Sequence, residues 1–535
     1  MKNTPSAHKP LERGSACIFC RKRKVKCDGA RPACARCSNL GRGAGCEHSG
    51  TYNQTDHQHL EASIARLEAR ILQLGGTLPT APEVIIHEPH LDGHPPGWSF
   101  SAWKRDRPQQ PSQLQVTLPD GWWKAPIPPQ NVTKLLMECF ARHASQFGFF
   151  LNGPRIVRSV LSPDSRHPIS PGLLNIILLF GIELSGSPVL KAHESTFLGR
   201  ALQFSTSPQL HQVIQNIQTE ELLAQYFLRQ GRFVEAMHHI NSAVSLCIGC
   251  GLHKMPGTDP DGSAYALSPA RDAVEHGERV NAVWSVLGAH GIFSIMMQWP
   301  SDVTELLGEQ MNLPWPLEME VYQSGIVPIN PQAQFTVKAF LNDPVAANFE
   351  AANSYLGQHA KAAALFERAS HIGGNRTNLA NPDEYTQFIK FEHGLKQVIH
   401  TLPSFDTIPE SIDTIRQRLV TFTLCQVAII QLHCAIDTTA SIHKCLNAAQ
   451  AVVAANQRIP NMHVWEYIDS TMGTLWVAIC QVIIRAIATI KNPRGATRGW
   501  AASVSSRDFP VLKAAFANIT SVMELFSARC RLIGK

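Results

Sequence analysis

Residues 16 to 37 read Ala16-Cys17-Ile18-Phe19-Cys20-Arg21-Lys22-Arg23-Lys24-Val25-Lys26-Cys27-Asp28-Gly29-Ala30-Arg31-Pro32-Ala33-Cys34-Ala35-Arg36-Cys37, and a further cysteine follows at Cys46. The spacing is Cys17-x2-Cys20-x6-Cys27-x6-Cys34-x2-Cys37-x8-Cys46, two similar halves that each hold a Cys-x2-Cys pair and then a single cysteine. Four thiolates fill one tetrahedral zinc and leave two over. Two zinc ions need eight ligand positions, which six thiolates supply if two of them bridge. The arithmetic favours a binuclear cluster. The segment has only Ile18, Phe19, Val25 and Leu40 as sizeable aliphatic or aromatic groups. That is too little for a core, so metal binding must supply most of its folding energy.

Charge follows the cysteines. Residues 1 to 50 carry 11 of the 48 basic side chains and 3 of the 42 acidic ones, which is +8 for that stretch and −2 for the rest. Six thiolates and two dications sum to −2, so the loaded module stays near +6, strongly cationic. Arg21, Lys22, Arg23, Lys24 and Lys26 place five cations in six residues, on a short helix predicted to continue from the Cys17/Cys20 turn. A cationic helix held rigid by metal at both flanks suits the major groove of double-stranded DNA.

The string from Ala16 to Cys37 resembles the fungal binuclear zinc cluster that defines a large class of fungal transcription factors. The resemblance implies that Cys17 and Cys34 bridge the two metals, with Cys20, Cys27, Cys37 and Cys46 terminal. It implies that Lys24 is the base-reading lysine, with Arg23 beside it, and that Arg21, Lys22 and Lys26 serve phosphates. Pro32 matches the proline that turns the loop between the halves. A CGG triplet is the half-site the resemblance suggests, and the nucleus the compartment. Lys22 to Lys26 also resemble a monopartite import signal.

Working outward, the zinc cluster domain is expected over 15–48. Leu60, Ile64, Leu67, Ile71 and Leu74 then recur at steps of 4, 3, 4 and 3. That heptad seam puts Ile64 and Ile71 at a, and Leu60, Leu67 and Leu74 at d, the combination of a parallel two-stranded coiled coil over 56–75. A homodimer is the expected partner state, the arrangement usual in the family; an intramolecular amphipathic helix is the alternative. Residues 76–130 lose the helical period and hold 11 of the 35 prolines, which marks a Pro-rich linker. Trp98, Phe100, Trp103, Trp122 and Trp123 are too apolar for a solvated spacer, so the stretch from Leu118 to Trp123 is expected to dock on the domain C-terminal to it.

From Asn131 to about Leu532 the apolar pattern is helical, as in Val132, Leu135, Leu136, Cys139 and Phe140, and a large all-α domain is expected over 131–532. Leu222 to Ala236 reads as a helical hairpin turning at Gly231. That stretch, with Gly251 to Lys254 and Glu278 to Trp284, resembles the middle homology region that fungal zinc cluster regulators carry. Gly288-Ala289-His290 and Gln298-Trp299-Pro300 depart from the family pattern.

Nothing in the chain reads as an enzyme. His193, His238, His239 and His433 lack partners at metal-ligand spacing, and Cys247-x2-Cys250 has no second pair. Phosphate-binding glycine loops, nucleophile elbows and His-Glu-x-x-His strings are missing. A thiolate-closed zinc site also offers no open position for an activated water. No apolar segment follows the N-terminal lysines, and Leu475 to Ile490 is broken by Gln481 and Arg485, so neither secretion nor a membrane is expected. The reading is a zinc-dependent DNA-binding regulator of RNA polymerase II transcription, working with the transcription machinery or co-regulators. A zinc-stabilised helical scaffold for protein partners is the alternative.

Overall fold

The structure, a computed structural model, describes residues 16–17, 19–20, 23, 25–41 and 46, the backbone at 85–87 and 113–115, and 118–534 apart from 162–167, 206–211, 255–266, 300–310, 312, 326–336, 343–353, 375–380, 406–410 and 460. Contacts divide the chain into two units, Met1–Ala81 and Pro82–Lys535. The heptad residues Leu60, Ile64, Leu67, Ile71 and Leu74 lie outside the described residues, as do Trp98, Phe100 and Trp103.

In the first unit the described helix is α1, Ala35–Asn39. In the second, strands β1 (Ile85–His87) and β2 (Gln113–Gln115) pair antiparallel with Ile86 opposite Leu114. Three-residue strands leave no readable alternation, so this pairing was not foreseen. Beyond Gln130 the described regular structure is helical.

Helix α2 (Gln130–Ala141) buries Val132, Leu135, Leu136, Cys139 and Phe140, the stripe its sequence predicts. It packs on α3 (Pro171–Ser185), which starts where the Ser170 hydroxyl accepts from the Leu173 N–H at 3.2 Å, and stops at Gly186, whose φ is 65°. Because α3 is apolar on nearly every face, all of its residues except Pro171 and Glu183 are buried. At the crossing Gly181 meets the Leu136 carbonyl, and a methyl group there would overlap it. Helix α4 (Glu194–Ser205) covers α3. The predicted hairpin is formed by α5 (Val213–Arg229) and α6 (Phe233–Gly249), with Gly231 at φ 71° in the turn. Helix α7 (Ala273–Met296), capped by Asp272, runs along both and carries the packing into the second half of the unit.

There α8 (Tyr355–Gly374) pairs with α10 (Ile412–His433), and α9 (Pro382–Thr401) leans on α10. Helices α11 (Thr439–Arg458), α12 (Thr471–Lys491) and α13 (Phe509–Ser527) complete the stack. By length and composition, Thr471–Lys491 and Ser506–Ser527 could cross a bilayer, the polar breaks at Gln481 and Arg485 notwithstanding. Both pack into the helical stack: Trp476 is fully buried and stacks on Phe526, centroids 6.1 Å apart. The apolar stretch of the first is 50% buried and that of the second 28%, so each keeps an exposed face, with Val477 and Ile484 on the first and Val511 and Leu525 on the second.

The halves meet on a polar seam. The Arg229 guanidinium is 1% exposed, lies between the rings of Phe147 and Tyr467, and pairs with Glu183 at 3.1 Å. The Leu532 N–H donates to the Arg229 carbonyl at 3.3 Å, and the Tyr467 hydroxyl to the Leu184 carbonyl at 3.4 Å.

The core begins before the first long helix. Leu118 and Trp122 are buried in it, with Trp122 stacked on Phe197 and Trp123 on His193, centroids 5.7 and 3.8 Å apart. Arg200 donates to three successive carbonyls, those of Trp123, Lys124 and Ala125, at 2.8, 2.9 and 2.8 Å. Aromatic burial and one planar guanidinium thus strap the inner end of the proline-rich stretch to α4.

Candidate metal centre and nucleic-acid interface

The two Cys-x2-Cys pairs make the same turn. The Cys20 N–H donates to Cys17 Sγ and the Cys37 N–H to Cys34 Sγ, both at 3.4 Å. After the first turn, Phe19 and Cys20 are helical. The Arg23 N–H reaches back to the Phe19 carbonyl at 3.2 Å and the Val25 N–H to the Cys20 carbonyl at 3.0 Å, the bond that closes a helix C-terminus. After the second, Cys34 is the N-cap of α1 and the Ser38 N–H returns to its carbonyl at 3.0 Å. Between them the Arg31–Pro32 peptide is cis.

These turns bring the six sulfurs together as two quartets, Cys17, Cys20, Cys27, Cys34 and Cys17, Cys34, Cys37, Cys46, with the sulfurs of each within 4.8 Å of one another. Cys17 and Cys34 belong to both, their sulfurs 3.7 Å apart. Cys46 returns to the centre, its sulfur accepting from the Cys34 N–H at 3.2 Å. An all-thiol donor set in two four-membered groups fits two tetrahedral zinc ions. Burial pushes the Cys20 thiol up to about 12 and raises that of Cys37. A dication beside the sulfurs reverses this and removes the protons.

Of the five predicted cations, Arg23 and Lys26 are exposed on the described surface, while Arg21, Lys22 and Lys24 lie outside the described residues. Arg23 sits over the Phe19 ring, 4.9 Å from its centroid, and Arg31 and Arg36 add exposed charge from the second half. Sequence reasoning did not single out Phe19 as a support, nor Asp28, whose carboxylate reaches the Ala35 N–H.

The helical unit places the histidines of interest elsewhere. His239 pairs with Glu220 at 2.7 Å in the core, and His433 faces Glu392 at 3.6 Å and the Phe388 ring. His193 stacks on Trp123, and His238 is exposed. Cys247 lies in the last turn of α6 and Cys250 caps it, both buried, and burial raises both thiols. Among the described residues the metal-competent groupings are the two cysteine quartets.

Residues 15–53 match the fungal Zn(2)-Cys(6) binuclear cluster domain. That domain binds two zinc ions and belongs to DNA-binding transcription factors, not to enzymes. No curated protein matches the chain.

Proposed function

We propose that the chain is a nuclear, sequence-specific regulator of RNA polymerase II transcription that binds DNA as a homodimer through residues 15–48. In this reading Cys17 and Cys34 bridge two zinc ions, and Cys20, Cys27, Cys37 and Cys46 complete their shells. The observation that carries it is the pair of thiol quartets sharing Cys17 and Cys34, set beside exposed Arg23 and Lys26. The metal folds and rigidifies the module. Arg21, Lys22 and Lys26 neutralise phosphates, and Lys24, with Arg23 beside it, donates to guanine acceptors of a CGG-like half-site. Leu60, Ile64, Leu67, Ile71 and Leu74 join two copies, and the helical unit, akin to a middle homology region, receives the regulatory input.

The test separates base reading from phosphate contact. Lys24→Ala should cost about 1–3 kcal/mol on the cognate duplex and relax discrimination. Lys22→Ala should weaken cognate and scrambled duplexes alike and lower the salt slope by about 0.9. Fluorescence anisotropy across a salt series reads both. Equal loss on both duplexes for Lys24→Ala would demote that lysine to a phosphate ligand. A zinc-loaded chain that binds no duplex would leave the zinc-stabilised scaffold as the better reading.

A further inference from the structure

Between Cys17 and Cys46 every acidic or basic side chain is cationic except Asp28. A carboxylate in a module that meets phosphates weakens the attraction unless it is engaged within the module. Asp28 is engaged: both its oxygens face the backbone N–H of Ala35, the first residue of α1, at 3.1 and 3.2 Å. That N–H is one of the donors a helix start leaves unsatisfied, and the Cys37 N–H is already taken by Cys34 Sγ. Asp28 directly follows Cys27, where the chain leaves the basic segment, whereas Ala35 directly follows Cys34 in the second half. One hydrogen-bonded carboxylate therefore ties the two halves together without using a metal. Exposed cations stand on both sides of the tie, Arg23 and Lys26 before it and Arg31 and Arg36 after it.

We propose that Asp28 is a positioning residue for sequence readout: through Ala35 it holds the cations of the second half in one register with the basic segment of the first. The inference rests on the DNA-binding reading above. Phosphate contacts set where a protein sits on the duplex, and base contacts set what it reads. If the halves slip against each other, the base contacts lose alignment while the total charge still attracts the backbone. Removing Asp28 also deletes a negative charge, which by itself strengthens binding to any duplex. A positioning role and a purely electrostatic one thus move random and cognate binding in different ways. Asparagine keeps a side-chain oxygen and caps helices about as well as aspartate, so it should preserve the tie.

The experiment uses the full-length, zinc-loaded chain. The probes are a duplex selected from a random pool by the wild-type protein and a scrambled duplex of the same composition. Asp28→Ala should bind the selected duplex about tenfold more weakly, roughly the worth of a helix cap, and the scrambled duplex no more weakly than wild type, with two zinc ions retained per chain. Asp28→Asn should recover most of the loss on the selected duplex. An equal change on both duplexes for Asp28→Ala would overturn the inference, because Asp28 would then be acting through its charge alone. Loss of zinc from Asp28→Ala would also overturn it, since the residue would be holding the cluster together. A wild-type chain that enriches no sequence would remove the DNA-binding reading itself, and this inference with it, whereas enrichment by wild type with an unaltered Asp28→Ala variant would remove only the inference.

Discussion

Arg229 donates through Nη2 to the backbone carbonyl of Arg529 at 3.0 Å, a contact made across 300 residues of chain. The same nitrogen holds Glu183, so one buried guanidinium joins α3, α5 and the segment after α13. Such a group is costly to break from one side, because the partner left behind is a buried charge. Arg229→Ala should destabilise the helical unit by about 3–5 kcal/mol. The double variant Arg229→Met with Glu183→Leu should recover most of that. Urea unfolding followed by the helical circular dichroism signal measures both, and a single variant as stable as wild type would show that the seam is held by packing alone.

Glu221 carries the opposite liability. It is fully buried on α5, its Oε1 accepts from the Ser285 hydroxyl at 2.5 Å, and burial holds its carboxyl well above the ordinary 4.5. The folded chain keeps this proton while the unfolded chain releases it above pH 4.5, so Glu221 lowers stability progressively as pH rises from there. Glu221→Gln keeps a hydrogen-bonding oxygen and cannot ionise. Its urea midpoint should exceed that of wild type at pH 8 and converge with it near pH 4. Parallel midpoints across that range would mean that Glu221 ionises as readily folded as unfolded.

Metal removal should act on one unit only. The cysteine module has few apolar groups to hold it, whereas the helical unit has an extensive core of its own. Chelation of the full chain should release two zinc ions and expose six thiols to a thiol reagent, with the helical dichroism of the larger unit retained. Release of one ion per chain, or loss of the helical signal, would contradict this.

Dimerisation is tested at Leu67, the central d position of the heptad. Leu67→Asp places a charge in the seam and should convert the chain from dimer to monomer in sedimentation, with zinc content unchanged. A variant that still sediments as a dimer would move the interface to another part of the chain.

Legibility in the sequence falls off with the separation of the residues involved. The set of six cysteines was legible because ligand spacing is a local pattern, although the sharing of Cys17 and Cys34 was implied only by the family resemblance. The α5–α6 hairpin was legible because Gly231 interrupts two apolar periods. Trp122 was legible as a misfit, an aromatic residue too apolar for a linker, although its socket on Phe197 and His193 was not. The Arg229–Arg529 contact leaves no local trace, since neither residue sits in a pattern that names the other. Asp28 belongs to the string that carries the family resemblance, but its hydrogen-bond partner is not readable until the fold carries Ala35 to it, seven residues on. Buried Glu221 was equally silent, because a carboxylate on a helix is usually solvated.

The strap formed by Trp122, Trp123 and Arg200 bears on how this chain can be divided. A fragment begun at Asn131, where the helical pattern starts, would discard Leu118 and Trp122 and leave the Phe197 ring and the His193 imidazole as a bare apolar patch. Bare patches of that kind drive self-association in isolated domains. A fragment begun a few residues before Leu118 keeps its own cover, and with it the three carbonyls that Arg200 needs.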